Sequence, residues 1–173
     1  LDSTSAIALT RLGWAQLFDC QFDQATENLE KALLMAPDNT DVNATFGQIL
    51  NYCGNPKRGL GMIEKAFSID TFVPPNWEHH MGLCHLLMDQ PEDALVRFNR
   101  SIERAPHVPA YMFLVWIYVE MDRSGDASEA LATALKIAPN YTVKDIERLY
   151  PFRLKDVRAR FSDTLRKAGL PEA

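Results

Sequence analysis

The stretch LGWAQLFDCQFDQATENLEKALLMAP, residues 12–37, decides the fold because the chain writes it four times. Gly13 is followed by Gly47, Gly82 and Val115, at steps of 34, 35 and 33 residues. At the same steps Ala25 returns as Gly59, Ala94 and Ala127, and Leu29 as Ile63, Phe98 and Leu131. Ala32 returns as Ala66, Ser101 and Ala134, and Leu12 as Phe46, Met81 and Leu114. Pro37 returns as Pro106 and Pro139, with Thr71 in the second copy. Composition bias would not keep small residues opposite small residues through four copies, and a period in this range marks a stacked repeat.

Each copy reads as two helices. Thr4 to Phe18 carries apolar residues at helical spacing, Cys20 to Asp23 interrupts it, and Gln24 to Met35 resumes with Ala25, Leu29, Ala32 and Leu33 on one stripe. Pro37 stops the second helix, since its ring cannot continue the hydrogen-bond ladder. Turns are predicted at Gly54-Asn55-Pro56, Asp89-Gln90-Pro91 and Ser124-Gly125-Asp126, with Asp122 and Asp126 in capping roles. Glycine in a helix interior costs about 0.5–1 kcal/mol relative to alanine. Three glycines in one column therefore predict close packing of the second helix of each hairpin against the first. No stretch reads as strand.

These columns resemble the tetratricopeptide repeat, whose consensus runs W-x2-L-G-x2-Y…A-x3-F…P. Leu12-Gly13…Ala25…Leu29…Ala32…Pro37 matches it best, and Met81-Gly82…Ala94…Phe98…Pro106 is close. Val115 replaces the usual glycine in the fourth copy, and the first aromatic column holds Leu9, Asn43, Glu78 and Tyr111. The resemblance implies an all-α, right-handed superhelical solenoid of four hairpins over residues 1–141 (about 6–39, 40–74, 75–107 and 108–141). Residues 142–173 are expected to form helices capping the last open apolar face. In this family the first helix of each repeat lines a concave groove. By register the groove would hold Thr10, Trp14, Leu17, Gln48, Asn51, Asn76, His79, Leu83, Met112 and Trp116. Trp14 is expected to be partly exposed, while Trp116 either faces the groove or lies beneath the tail. The groove lacks the Lys/Arg pairs that would clamp a carboxylate.

The tail carries a second resemblance. Ala138-Pro139-Asn140-Tyr141-Thr142, Arg148-Leu149-Tyr150-Pro151-Phe152 and Leu165-Arg166-Lys167-Ala168-Gly169-Leu170-Pro171-Glu172 are similar to the C-terminal end of bacterial class III adenylate/guanylate cyclase-type proteins, or winged-helix regulators, with C-terminal repeats of this kind. This implies a regulatory or scaffolding part of a larger bacterial signalling protein. Because the chain opens with Leu1 rather than Met, it is expected to be a fragment of something longer.

Composition narrows the function. Of 173 residues, 47% are hydrophobic and 24% charged, with a formal charge of -5. Residues 1–141 hold 10 Lys+Arg against 18 Asp+Glu, whereas residues 142–173 hold 8 against 5. So acidic a body argues against nucleic-acid binding, which needs a basic patch. The basic tail could dock on the body or on an acidic partner, and a solvated helix is the favoured reading. The longest apolar run, Tyr111 to Val119, falls short of the roughly 20 residues of a membrane span. Cys20, Cys53 and Cys84 read as reduced, buried thiols of a cytoplasmic protein.

Glu78, His79, His80, Cys84 and His85 invite a metal reading, with His80 and Cys84 one helical turn apart, but no second ligand pair appears elsewhere. Neither a phosphate loop, a nucleophile elbow nor an H-E-x-x-H pair is present. The expectation is a non-catalytic scaffold without metal or cofactor, binding a protein or peptide partner or itself. The alternative is a structural or dimerisation appendage of a cyclase with no separate ligand.

Overall fold

The computed structural model describes residues 3–70 and 74–173; Thr71, the second-copy member of the proline column, lies outside them. Ten helices and no strand occupy the described residues. Four antiparallel hairpins come first: α1 (Ser3–Phe18) with α2 (Phe22–Met35), α3 (Thr40–Tyr52) with α4 (Pro56–Ile69), α5 (Pro75–Leu87) with α6 (Pro91–Arg104), and α7 (Val108–Glu120) with α8 (Ser124–Ile137). Two shorter elements follow, α9 (Val143–Leu149) and α10 (Lys155–Lys167).

The glycine column packs as its spacing predicts. A Cβ on Gly47 would come within 2.5 Å of the Gly59 carbonyl oxygen, and one on Gly82 within 3.1 Å of the Phe98 ring. At Gly13 it would strike the Leu29 side chain. The first three hairpins thus close around a missing side chain, with Val115 buried at that position in the fourth, and the Leu29 column fills the space alongside, with Leu29, Ile63 and Phe98 fully buried. Stacking then buries what one hairpin cannot cover alone. Phe46, Met81 and Leu114 lie buried at the position where Leu12 of the first hairpin is 46% exposed.

The turns repeat a device that the sequence does not advertise. Cys20, Gly54, Asp89 and Asp122, at equivalent positions, are left-handed with φ of 58°, 83°, 55° and 55°. The next amide in each case reaches back five residues: Gln21 N–H to Gln16 O (2.8 Å), Asn55 to Leu50 (2.8 Å), Gln90 to His85 (3.0 Å) and Arg123 to Tyr118 (2.8 Å). This hydrogen bond satisfies a carbonyl that the helix end leaves over. Pro56 and Pro91 then start the second helices, where a missing N–H costs nothing. The capping roles expected for two aspartates are not realised: Asp122 occupies the left-handed position, and Asp126 pairs with Arg123 at 2.7 Å. Cys20 is exposed and Cys53 half-buried, so only Cys84 is a fully buried thiol.

The tail does more than close the end. α10 packs on α7, with the Phe161 ring stacked on Phe113 (4.8 Å) and on Trp116 (5.0 Å). The linker Tyr150–Leu154 runs back along the inner face as far as the second hairpin. There the Arg153 N–H donates to Tyr52 O at 2.8 Å, and Phe152 packs on the Tyr52 ring at 5.1 Å. The solvated reading of the basic tail is corrected by its arginines. Arg153 meets Asp23 at 2.6 Å, and Arg160 meets Glu120 at 2.6 Å and Asp89 at 3.4 Å. Exposed pairs of this kind contribute about 0–1 kcal/mol each, so the buried aromatics dominate the docking.

Beneath the tail lies a histidine joint. His79 is enclosed by Phe98 and Phe113, each 5.4 Å away, and its Nδ1 lies 3.3 Å from His107 Nε2. His80 stands beside Tyr52, and its Nδ1 has no protein partner. Burial, and secondarily the neighbouring histidines, holds His79 well below the ordinary imidazole value and lowers His80 to about 3. Both are therefore neutral in the folded chain near neutrality.

Two predictions follow from this packing. Gly47→Leu drives a side chain into backbone and costs about 1–3 kcal/mol or more, whereas Gly61→Ala, in the same hairpin with nothing within 4 Å, leaves stability unchanged or raised; paired urea melts decide. As pH falls below 6.5, the unfolded chain gains protons that the folded His79 and His80 refuse. Unfolding free energy then falls by about 1.4 kcal/mol per pH unit for each histidine. For His80 that loss continues down to about pH 3. His80→Phe removes one of the two contributions, read from urea melts between pH 6.5 and 5.

Candidate functional site

The concave face is two surfaces rather than one groove. Two columns of first-helix residues line it: Trp14, Gln48, Leu83 and Trp116, and one turn later Phe18, Tyr52, Leu87 and Glu120. The tail meets them at Tyr52, Leu87, Trp116 and Glu120. Phe161 lies on Trp116, Arg160 on Glu120, Phe152 on Tyr52, and Leu87 shares a small cavity with Phe152 and Val157. At the first hairpin the tail reaches only the α2 side, through Arg153 to Asp23, and among the described residues no tail side chain lies on Trp14 or Phe18.

Burial corrects the open groove: eight of the ten residues expected there are buried, Thr10 and Gln48 in the wall of a cleft and six others away from it. Leu17, Asn51, His79, Leu83, Met112 and Trp116 are all buried, Trp116 to 1% exposure. Trp116 is covered by the tail, and its indole N–H donates to Glu120. Asn51 looked available for a peptide backbone but is fully engaged. Its amide N–H donates to His80 O at 3.0 Å, while its Oδ1 accepts from the Cys84 thiol at 3.0 Å. That contact joins α3 to α5, and burial pushes the Cys84 thiol up to about 12, leaving it an inert donor. Among the described residues no group of three or more His, Cys, Asp or Glu side chains is placed to hold a metal ion.

The other four, Thr10, Trp14, Gln48 and Asn76, come together. With Arg11, Asp41, Thr45 and Trp77 they line a cleft of about 350 Å³ between α1, α3 and α5. Thr10 is held by its hydroxyl, which donates to Ala6 O at 2.8 Å, so its oxygen keeps acceptor capacity. Gln48 is only 5% exposed and sits in the cleft wall, yet its amide makes no hydrogen bond to protein among the described residues. Its amide atoms are not themselves buried, so they open onto the cleft, where water or a ligand can meet them. Arg11 and Asp41 add one charge of each sign and likewise have no protein partner among the described residues. Trp14, half-buried, stacks at 5.9 Å on Phe18, which is 54% exposed. Phe18 escaped the sequence reading, although its column-mate Tyr52 carries the tail.

The cleft wall is more polar than apolar, with the amides of Gln48 and Asn76 and one charge of each sign beside Trp14 and Trp77. No helix among the described residues is long and apolar enough to cross a membrane.

Comparison with known proteins agrees with this architecture. Residues 108–141, the fourth hairpin, match the tetratricopeptide repeat family. A stretch of 122 residues, 69% of this chain, is 23% identical to anaphase-promoting complex subunit 7 of Dictyostelium discoideum and covers 21% of that protein. The chain thus spans about a fifth of the length of this curated relative. Among solved structures, PilW, a type IV pilus biogenesis factor, aligns over 96% of this chain and 77% of its own at a TM-score of 0.73 and 20% identity. Pseudomonas aeruginosa pilF aligns over the same shares at 0.69 and 21%. The Cut9–Hcn1 hetero-tetramer aligns over 95% of this chain and 30% of its own at 0.75 and 13%. At such identities the likeness shows the fold: a superhelical solenoid of tetratricopeptide type, with the repeat itself matched in the fourth hairpin.

Proposed function

We propose that this chain is a non-catalytic protein-interaction scaffold that binds an extended peptide in the open, N-terminal half of its concave face. The observation that carries the reading is Gln48, which lines the cleft and whose amide opens onto it without a protein hydrogen bond among the described residues. A bound main chain would supply both a carbonyl and an N–H to it, and Asn76, exposed on the same cleft, could do the same from α5. Arg11 and Asp41 would set direction by meeting opposite charges on the ligand.

The larger setting implied by the tail's resemblance, the regulatory end of a bacterial cyclase-type signalling protein, is compatible with this role and adds no residue to it. The residues that carry the resemblance have a packing task of their own, since Tyr150, Phe152 and Leu170 are buried. Self-association is the competing use of the same surface.

Binding of peptides selected from a random library by the wild-type chain tests the reading. Each amide–main-chain bond contributes about 0.5–1.5 kcal/mol, so Gln48→Ala with Asn76→Ala weakens binding about tenfold while the melting temperature holds. Selected peptides that bind the double variant as tightly as the parent would place the site elsewhere. Asn51→Ala makes the contrast: it breaks the α3–α5 contact and lowers stability by about 1–3 kcal/mol.

A further inference from the structure

The tail shows what the concave face accepts. At the second hairpin it seats an aromatic ring, Phe152, on Tyr52 and donates an adjacent main-chain N–H to the Tyr52 carbonyl at 2.8 Å. At the fourth it seats another, Phe161, on Trp116, with its ring planes 24° apart. Tyr52 and Trp116 belong to the two columns that continue into the first hairpin as Phe18 and Trp14. There half-buried Trp14 lines the cleft beside Gln48, whose amide has no protein hydrogen bond among the described residues, and exposed Phe18 stacks on Trp14 just outside the cleft.

We infer that the open cleft selects an extended peptide segment bearing an aromatic side chain, which stacks on Trp14 and Phe18 while Gln48 holds the neighbouring main chain. The inference rests on the peptide-binding reading above and deepens it by naming the ligand's chemistry. Three features make the choice. The surface is continuous with one that already binds aromatic residues of this chain. A partly exposed indole–phenyl pair offers an apolar face to a third ring, and aromatic pairs contribute beyond their buried area. A Gln amide beside that face supplies the polar contact that fixes an extended main chain. With single charges of opposite sign at Arg11 and Asp41, the cleft favours neither an acidic nor a basic ligand.

The probe is a blocked peptide copying Leu149–Lys155 of this chain, together with a version in which both Tyr150 and Phe152 are replaced by Ala, titrated into the full isotope-labelled chain and followed by NMR. The Phe peptide is expected to move the Trp14 indole and Gln48 side-chain amide signals saturably, and at least about fivefold more tightly than the Ala peptide. Trp14→Ala abolishes that difference. Phe18→Ser narrows it, and since Phe18 is more than half exposed this variant leaves the fold intact. Equal binding of both peptides, lost in Gln48→Ala, overturns the aromatic selection but leaves the peptide cleft standing. Binding of both that Gln48→Ala and Trp14→Ala leave unchanged overturns the cleft as well. No binding of the Phe peptide, or shifts confined to Tyr52 and Trp116 through displacement of the chain's own tail, likewise overturns the aromatic selection.

Discussion

The stacking of Phe161 on both Phe113 and Trp116 is the contact on which the rest of the molecule depends. A solenoid of helix hairpins leaves its inner face lined by first-helix side chains, and here those side chains are large and apolar. Met112, Phe113, Leu114, Val115, Trp116 and Ile117 succeed one another in α7, so that helix must be covered on every side. The α8 helix covers one side and the preceding hairpin another. The third is covered by α10, and the Phe161 ring lies at the centre of that contact.

Once α10 is seated, the linker that reaches it has to cross the concave face. Tyr150, Phe152 and Leu154 follow this path, and Gly54 marks its far end: a Cβ there would lie 3.1 Å from the Leu154 side chain. Arg153 and Arg160 fasten the crossing to acidic groups on three hairpins. The linker then turns into α10, and the inner face of the first hairpin stays open. The site's position is thus a consequence of tail length and turn geometry, and its polar character comes from Gln48 and Asn76 in place of the apolar Leu83.

The fold was legible because its determinants are local and periodic. Gly13, Gly47 and Gly82 face a partner helix only one turn of chain away, so spacing alone locates the contact. The turns were placed but not explained, because a left-handed residue such as Cys20 or Asp122 bears no mark that separates it from a capping residue. The site was half legible. Register puts Trp14, Gln48, Leu83 and Trp116 in one column, but which of them the tail covers depends on a segment beginning more than a hundred residues beyond Trp14 in the chain. Asn51 shows the limit clearly: an amide on a groove-facing helix reads as a ligand contact until His80 O and Cys84 Sγ are seen to occupy it. The aromatic residues of the tail were the available signal, since Tyr150, Phe152 and Phe161 are more than an end cap needs.

The central claim is that the tail stays seated on the inner face from Tyr52 to Trp116 and leaves the cleft at Trp14 and Gln48 for a partner. Native-state hydrogen exchange at the Arg153 amide tests it most directly, because that N–H bonds to Tyr52 O across the concave face. The account predicts exchange only through global unfolding, at the rate of the slowest amides of α3 and α7. Rapid exchange at Arg153 while α3 and α7 stay protected would mean that the tail leaves the groove freely, and the division into a filled and an open half would fail.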